Sequence, residues 1–399
     1  MSQINIAFTA PFPIEILEPE IKLTRPVQSH PASWIQVLAN ELSKYEKINI
    51  HILTINAALK RDQVIKKGRI TYHVLRTSLP FARRSYGLTS SYTLFALPCI
   101  KLIQKLKMIR PDIVHGHGTE GPYALAAVYS GIPNIVSIQG IITEIMKSAP
   151  SFEYMITAYL ERHTLRRAMA INTKTVYSAS FADTITPGTR QYFIEAPINS
   201  IYWERPIPSP ARNIFFVGTL IKRKGIEELI RAVFNLAERW PDLKCFIIGT
   251  GNESYVDYLK QLVASFPREV SIEFLGQLKS PEIAALFSRG GVFCLPSYIE
   301  NSPNTVMEAM AAGLPTVVTD VGNLRNMIKD QKSGLLIQTH SVTSIQSALA
   351  AFFLDFNFHT EAGQLGRKIA SRRWRADIIA EKHLEMYRDL LSSQKKEKC

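Results

Sequence analysis

The 399-residue sequence predicts an α/β protein of two doubly wound domains, each a parallel sheet with helices on both faces. Strand and helix patterns alternate along almost the whole chain, which is typical of this fold class. Two such series occur, and a proline-rich stretch at 196–212 separates them. The length suffices for two or three domains with complete hydrophobic cores.

The first series starts with a short β-branched strand and continues with a helix at 34–42, where apolar residues recur at helical spacing. Pro111 ends the amphipathic helix at 97–108, and Gly131 ends the helix at 124–129. The strands of this series are predicted at 4–8, 50–54, 70–75, 112–115 and 134–138.

The second series starts with a strand at 214–217, which leads through a glycine turn into a helix at 226–240. One apolar stripe of that helix is formed by Ile226, Leu229, Ile230, Val233, Ala237 and Trp240. Further strands are predicted at 244–248, 271–275, 292–295 and 316–319, and further helices at 255–264, from 280 onward and at 305–312.

The domain boundaries follow from prolines 197, 206, 208 and 210, which mark 196–212 as the linker. We place the first domain at 1–200 and the second at 201–369. The tail from Arg367 has the apolar spacing of a long helix, and its part at about 370–395 is expected to pack back on the first domain.

The composition is that of a soluble globular protein, with 46% apolar and 20% charged residues. We expect a cytoplasmic location, because the first residues lack the basic and apolar regions of a signal peptide and the four cysteines have no metal or redox spacing. The net charge is +13, of which +9 lies in residues 1–200, with 22 basic against 13 acidic residues. Such a charge favours phosphorylated substrates or an anionic membrane surface, although a solvated basic face explains it equally well. Nucleic acid is not expected, because no basic segment is interleaved with aromatic residues.

The strongest motif follows the predicted strand at 292–295, and ligands of open α/β sheets bind beyond such strand ends. A loop carrying Glu300 leads into a helix that starts near Asn304 and Thr305, whose free N–H groups make an anion site suited to a diphosphate. Glu308 lies about one turn inside that helix, so both carboxylates are able to point into one cleft.

The stretch Pro-Asn-Thr-Val-Met-Glu-Ala-Met-Ala-Ala-Gly-Leu-Pro at 303–315, with Glu300 and Glu308, resembles the hallmark of family 4 of the retaining, nucleotide-sugar-dependent glycosyltransferases. Similar segments follow the family's order at 110–117, 216–225, 247–251 and 274–278. The resemblance implies the GT-B fold, with two Rossmann-like domains facing a central cleft. It also implies that the second domain binds the donor and the first presents the acceptor.

The resemblance implies roles for individual residues. Lys224 and Glu300 are the catalytic pair, with Lys224 at the donor diphosphate and Glu300 at the hydroxyls of the transferred sugar. Glu308 accepts hydrogen bonds from the ribose. The full donor-binding set is Gly218, Thr219, Arg223, Lys224, Glu300, Asn301, Ser302, Pro303, Asn304, Thr305 and Glu308. The nucleobase contacts the backbone of Gly276, Gln277 and Leu278, and the acceptor side contains His117, Glu120 and Gln139.

Two positions depart from the family pattern. Thr219 stands where relatives often have arginine, which leaves Lys222 or Arg223 as a second cation. Gln139 stands where many relatives have histidine, but a protein base is not obligatory, since the departing phosphate itself can take the acceptor's proton.

Neither a metal nor another cofactor is expected. No Asp-x-Asp motif occurs, and a lysine with helix N–H groups can stabilise a leaving diphosphate. His115 and His117 lack a third ligand nearby and are interpreted as polar lining.

The predicted activity is retaining transfer of a sugar from a UDP- or GDP-sugar to a glycan or lipid-linked glycan, in surface polysaccharide or lipopolysaccharide biosynthesis at the inner face of the cell membrane. Two alternatives remain open at this point. A nucleotide-sugar epimerase with the same fold would act on the donor alone, and a catalytically silent scaffold would bind nucleotide without turnover.

Overall fold

A computed structural model describes residues 3–25, 32–77, 95–148, 150–328 and 332–397. The chain forms two compact units. The first unit contains Met1–Pro197 together with Ala376–Cys399, and the second contains Ile198–Arg375. None of the helices in these ranges is both long enough and apolar enough to cross a bilayer.

The first unit is an eight-stranded sheet with the order β3-β4-β2-β1-β5-β6-β7-β8, in which β3 alone runs antiparallel to its neighbour. The strands are β1 (Ile4–Thr9), β2 (Ile48–Asn56), β3 (Gln63–Lys67), β4 (Ile70–Arg76), β5 (Ile113–His117), β6 (Asn134–Ser137), β7 (Ala170–Thr173) and β8 (Arg190–Phe193). The helices are α1 (Ser33–Leu42), α2 (Ala96–Ile109), α3 (Pro122–Tyr129), α4 (Ile142–Ser148), α5 (Phe152–Leu165) and α6 (Val176–Ile185).

The second unit is a six-stranded parallel sheet with the order β11-β10-β9-β12-β13-β14. Its strands are β9 (Asn213–Val217), β10 (Lys244–Ile248), β11 (Ser271–Gly276), β12 (Val292–Leu295), β13 (Thr316–Thr319) and β14 (Gly334–Ile337). Its helices are α7 (Ile226–Leu236), α8 (Glu253–Ala264), α9 (Ser280–Phe287), α10 (Asn304–Ala312), α11 (Leu324–Met327), α12 (Val342–Leu354) and α13 (Phe356–Arg373).

Both sheets reverse their strand order at an inner strand, which is the Rossmann arrangement and confirms the predicted fold class. In the second unit the reversal lies between β9 and β12, which pair through Phe215 and Phe293. The carboxyl ends of these two strands are therefore neighbours, so the loops that follow them lie at the edge where such sheets bind ligands.

The last helix, α14 (Ala376–Glu397), packs against α1 in the first unit. Ile379, Leu384 and Tyr387 belong to the same hydrophobic core as Phe8 of β1. Burial of these apolar side chains supplies the main energy that holds the last helix on the first unit.

The prediction of one long helix from Arg367 is wrong, since α13 ends at Arg373 and α14 begins at Ala376. The break occurs at the fully buried Trp374, whose carbonyl accepts a hydrogen bond from Ile198 N–H at 2.9 Å. This contact turns the chain away from the helix axis and leaves residues before 376 in the second unit.

The proline-rich segment predicted as a linker is ordered in its first half. Ser200–Tyr202 forms a 3-10 turn, and the Arg367 guanidinium of α13 donates to the carbonyls of Trp203 and Arg205. The proline-rich segment therefore lies on the second unit and is not a free linker between the two units.

Candidate active site

The loop after β9 carries the predicted cations. Gly218 N–H donates to the Ile248 carbonyl at 3.0 Å, Thr219 is exposed, and Lys222–Lys224 forms a 3-10 turn. The Arg223 guanidinium donates to the Ile299 carbonyl at 3.2 Å, and the Arg223 carbonyl accepts from Tyr298 N–H at 2.8 Å. These bonds join the loop after β9 to the loop after β12.

Gly225 permits this close approach. Its φ is +68°, and a Cβ on it would lie 2.1 Å from the Pro296 carbonyl oxygen. Any other residue would force the two loops apart. The Lys-Gly pair therefore combines a cation with the backbone geometry that brings it to the neighbouring strand.

Lys224 and Glu300 meet at this point, since Lys224 Nζ donates to a Glu300 carboxylate oxygen. Both side chains are nearly buried, with 12% and 9% of their surfaces exposed. Gly322 supports the Glu300 backbone from behind, because a Cβ there would lie 1.7 Å from the Glu300 carbonyl oxygen. The predicted diphosphate cation and the predicted sugar ligand thus form an ion pair with each other.

The start of α10 faces the same loop. Pro303 precedes it and no side chain caps it, so the first N–H groups at Asn304 and Thr305 are available to a ligand. The Ser302 hydroxyl is buried with no hydrogen-bond partner among the residues that the structure describes. A buried polar atom of this kind requires a partner, which a phosphate or water can supply. Asn301 lies beside these groups, and its carbonyl accepts from Asn323 N–H at 3.3 Å.

Glu308 lies one turn inside α10 among buried apolar residues, and 8% of its surface is exposed. Burial raises the pKa of this carboxyl to about 8, and an interaction with Tyr202 opposes the rise. Hydrogen bonds from a ligand's hydroxyl groups would favour the ionised form and offset the desolvation.

The predicted nucleobase segment follows β11 at the same edge of the sheet. The Gly276 carbonyl accepts a hydrogen bond from Gly249 N–H at 2.7 Å, Gln277 is exposed and Leu278 is half-buried. The predicted donor residues of the second unit thus follow three strands, β11, β9 and β12, on their carboxyl side.

The predicted acceptor-side residues belong to the first unit. His117 ends β5, is 2% exposed, stacks on His115 at 3.9 Å, and neither of its ring nitrogens finds a hydrogen-bond partner within the described ranges. Glu120 is exposed, and its carboxylate lies over Gly118. Gln139 follows β6, and its side-chain oxygen accepts a hydrogen bond from Lys174.

Lys174 was missed by the sequence analysis. It follows β7, is 6% exposed, and its Nζ lies 5.1 Å from the centre of the Trp34 ring. Burial lowers the pKa of this amine to about 8, while Glu120 and Glu195 oppose the shift. The sequence analysis did not predict β7, so no local signal marked Lys174.

Three or more His, Cys, Asp or Glu side chains grouped to hold a metal ion do not occur in the described part of the chain. The chemistry available at the site is that of one lysine, two carboxylates and a helix start. Groups of this kind can stabilise a leaving anion and bind hydroxyl groups.

Comparisons with known proteins identify the family of the chain. Residues 198–369 match the family model for glycosyl transferases group 1, and residues 28–175 match the model for glycosyl transferase 4-like domains. A glycosyltransferase of Methanocaldococcus jannaschii is 31% identical over 177 residues, or 44% of this chain and 45% of the relative. A D-inositol 3-phosphate glycosyltransferase of Corynebacterium aurimucosum is 33% identical over 147 residues, or 36% and 35%. The matches therefore span less than half the length of these relatives.

Solved structures share the fold over the whole chain. Sucrose-phosphate synthase from Thermosynechococcus elongatus superposes with a TM-score of 0.77 at 16% identity, covering 98% of this chain and 100% of that one. HepE of Anabaena in complex with UDP-glucose superposes at 0.70 with 15% identity, covering 98% and 100%. The two family models confirm the resemblance to glycosyltransferases, so the chain belongs to the group 1 glycosyltransferases, and the solved structures show that it has the GT-B fold.

Proposed function

We propose that this chain transfers a sugar from a nucleoside-diphosphate sugar to a hydroxyl group of a glycan or lipid-linked glycan, with retention of the anomeric configuration. The observation that carries the proposal is the contact of Lys224 with Glu300 beside the uncapped start of α10. A cation, a carboxylate and free N–H groups at one point match the diphosphate and the sugar of such a donor.

Donor binding separates the Lys224–Glu300 pair. The diphosphate draws Lys224 toward its oxygens, and the sugar hydroxyls donate to Glu300 in exchange. The N–H groups of Asn304 and Thr305 and the Ser302 hydroxyl bind the phosphate, while Glu308 accepts from the ribose. Backbone atoms at 276–278 bind the base.

The reaction balances without a protein base or a metal. The bond between the anomeric carbon and the phosphate oxygen breaks while the acceptor oxygen bonds to the same face of that carbon. The acceptor's proton passes to the departing phosphate. Lys224 and the helix N–H groups stabilise the charge that builds on the leaving diphosphate.

UDP-sugars are the first donors to test. HepE of Anabaena and a trehalose-6-phosphate enzyme of E. coli have been solved with UDP-glucose and UDP-2-fluoro glucose, respectively, and both share the fold of this chain. GDP-sugars are the second class, since base recognition through backbone atoms leaves no side-chain signature.

A thermal-shift panel tests the donor. We would measure the unfolding temperature with UDP, GDP, ADP and CMP and their sugars in EDTA. A selective shift by one nucleoside diphosphate supports the proposal, since a ligand at 100 times its Kd stabilises a fold by about 2.7 kcal/mol. Proton NMR of the product's anomeric signal then distinguishes retention from inversion. Nucleotide binding without transfer or hydrolysis would favour a silent scaffold.

We also propose that the chain binds a membrane through the basic layer formed by helices α2, α3 and α5. In this layer α2 contacts α3, and α3 contacts α5. Its exposed apolar side chains are Leu97, Ile100, Met108, Phe152, Met155 and Tyr159. Lys107 and Arg162 are exposed on the same helices, and the exposed Arg166 directly follows α5. Apolar and basic side chains together fit a bilayer with anionic headgroups, where a lipid-linked acceptor resides.

Flotation with vesicles tests this surface. We expect binding to phosphatidylcholine vesicles that contain phosphatidylglycerol, and loss of binding in the double variant Phe152→Ser, Met155→Ser. The matched control is Leu354→Ser, an equally exposed position on α12 of the second unit. Absence of flotation, or flotation unaffected by the double variant, would overturn the membrane assignment.

A further inference from the structure

Tyr202 is a large buried side chain in the segment that leads into the second unit. It ends the 3-10 turn Ser200–Tyr202, and 1% of its surface is exposed. This turn contacts both α9 and α10, and the Tyr202 ring lies 6.1 Å from the ring of Phe287. A tyrosine is therefore placed between two helices, one of which carries Glu308.

The turn is fixed on both sides of Tyr202. Before it, Asn199 accepts a side-chain hydrogen bond from Ile201 N–H at 3.1 Å. After it, the Arg205 carbonyl accepts from the Arg367 guanidinium at 2.7 Å. The Tyr202 ring is buried, and hydrogen bonds hold the backbone before and after it. The ring therefore has little freedom to move, and its hydroxyl occupies a defined position.

Tyr202 lies on the turn that contacts α9 and α10, and Ser280 on α9 and Glu308 on α10 are near enough to its hydroxyl to influence its pKa. The hydroxyl does not reach the distance and angle of a full hydrogen bond with any residue that the structure describes. Glu308 carries the burial penalty described above, and Tyr202 is the one described side chain that reduces it. Tyr202 and Glu308 are therefore close to each other and both buried, but no full hydrogen bond joins them.

We propose that Tyr202 is a positioning residue for Glu308 that aims the carboxylate at the ribose of the donor. The inference rests on the proposed function, because it assumes that Glu308 accepts the ribose hydroxyls. When the nucleotide binds, the Tyr202 O–H donates to one carboxylate oxygen and fixes its rotamer. The remaining lone pairs then face the ribose, since a carboxylate accepts several hydrogen bonds at once.

The preference of the protein for a ribonucleotide over the matching deoxyribonucleotide measures the positioning role of Tyr202. We would determine Kd by calorimetry for UDP and 2′-deoxy-UDP, or for the GDP pair if the panel selects GDP, with wild type, Tyr202→Phe and Glu308→Gln. We expect wild type to prefer the ribonucleotide by about tenfold, which corresponds to one charged hydrogen bond. Tyr202→Phe should lower this preference severalfold while the Kd of the deoxynucleotide stays nearly unchanged.

Tyr255→Phe is the matched control, because Tyr255 donates to Glu227 at 3.1 Å in the same unit but outside the proposed site. Its preference for ribose should equal that of wild type. Since the Tyr202 hydroxyl completes no hydrogen bond with the described residues, Tyr202→Phe should also keep its unfolding temperature within about 2 °C.

Four results would overturn the inference. Equal weakening of both nucleotides by Tyr202→Phe, or a large fall in its unfolding temperature, would assign Tyr202 a purely structural role. An unchanged preference in Tyr202→Phe, together with a lost preference in Glu308→Gln, would refute the role of Tyr202 and leave the proposed function intact. Failure of the wild type to bind either nucleotide would refute both.

Discussion

The hydroxyl of Tyr387 lies 2.8 Å from Nδ1 of His115, which joins the last helix of the chain to a central strand of the first unit. Both residues are fully buried. We predict that Tyr387→Phe lowers the free energy of unfolding by about 1 kcal/mol, the net value of one buried hydrogen bond. Urea denaturation measures this, with Tyr159→Phe at an exposed position as control. Equal stability of the two variants would contradict the prediction.

Buried histidines make the first unit sensitive to acid. Burial lowers the pKa of His73 to about 3 and of His383 to about 4, and it holds the pKa of His115 well below its usual range. These groups are neutral in the folded chain but take up protons near pH 6.5 once unfolded. The unfolded state then binds more protons, so stability falls as the pH drops below 6.5, by about 1.4 kcal/mol per histidine and pH unit.

Urea unfolding at pH 7.5 and 5.5, with limited proteolysis to assign the transition of the first unit, measures this loss. His383→Gln should reduce the pH dependence. The prediction fails if His383→Gln and the wild type show the same pH dependence.

Gly225→Ala should abolish donor binding. The added Cβ would meet the Pro296 carbonyl and push the Lys224 turn away from Glu300. Gly131→Ala is the control for the cost of placing alanine at a positive φ without a steric clash. Gly131 also has a positive φ, +76°, but open space around its Cβ position. We expect about 1 kcal/mol of destabilisation and normal nucleotide binding in Gly131→Ala. Thermal shift with the selected nucleotide compares the two, and normal binding by Gly225→Ala would refute the argument.

Substitutions of Lys224 and Glu308 should affect different steps, catalysis and donor binding, respectively. Lys224→Ala should lower kcat more than donor affinity, because the charge on the leaving diphosphate is largest in the transition state. Glu308→Ala should raise the donor Kd by an amount equivalent to about 2–3 kcal/mol, since it loses charged hydrogen bonds. Steady-state kinetics and calorimetry separate the two effects. Wild-type turnover in both variants would remove these residues from the site.

Lys174 should act on the acceptor alone. We predict that Lys174→Met raises the acceptor KM, because the Gln139 side chain loses its partner, while the donor Kd stays unchanged. Above pH 8 the lysine loses its proton, so wild-type acceptor affinity should fall there. Lys44→Met, at a position 68% exposed, is the control. A changed donor Kd in Lys174→Met would contradict an acceptor role.

Part of the order of strands and helices was predictable, because apolar periodicity depends on neighbouring residues, whereas strands β3, β7, β8 and β14 were not predicted. The strands at 292–295 and 316–319 have the predicted bounds, and the helix at 305–312 begins one residue earlier, at Asn304. The proximity of Lys224 and Glu300 was also foreseeable, since the carboxyl ends of adjacent parallel strands meet.

What the sequence did not reveal depends on contacts between distant residues. The side chains around Tyr202 and Lys174 come from segments far from them in the sequence, and neither residue belongs to a local motif. The break at Trp374 likewise depends on a hydrogen bond to Ile198, which local helix propensity cannot anticipate. Tertiary contacts override local preference at such positions.

The return of α14 to the first unit has a consequence for the order of synthesis. Residues 198–375 are contiguous, so the second unit is complete once residue 375 has left the ribosome. The first unit lacks the core residues Ile379, Leu384 and Tyr387 until the final helix emerges. Of the two units, the first therefore finishes folding after the second, and a first unit without α14 would expose an apolar surface along α1.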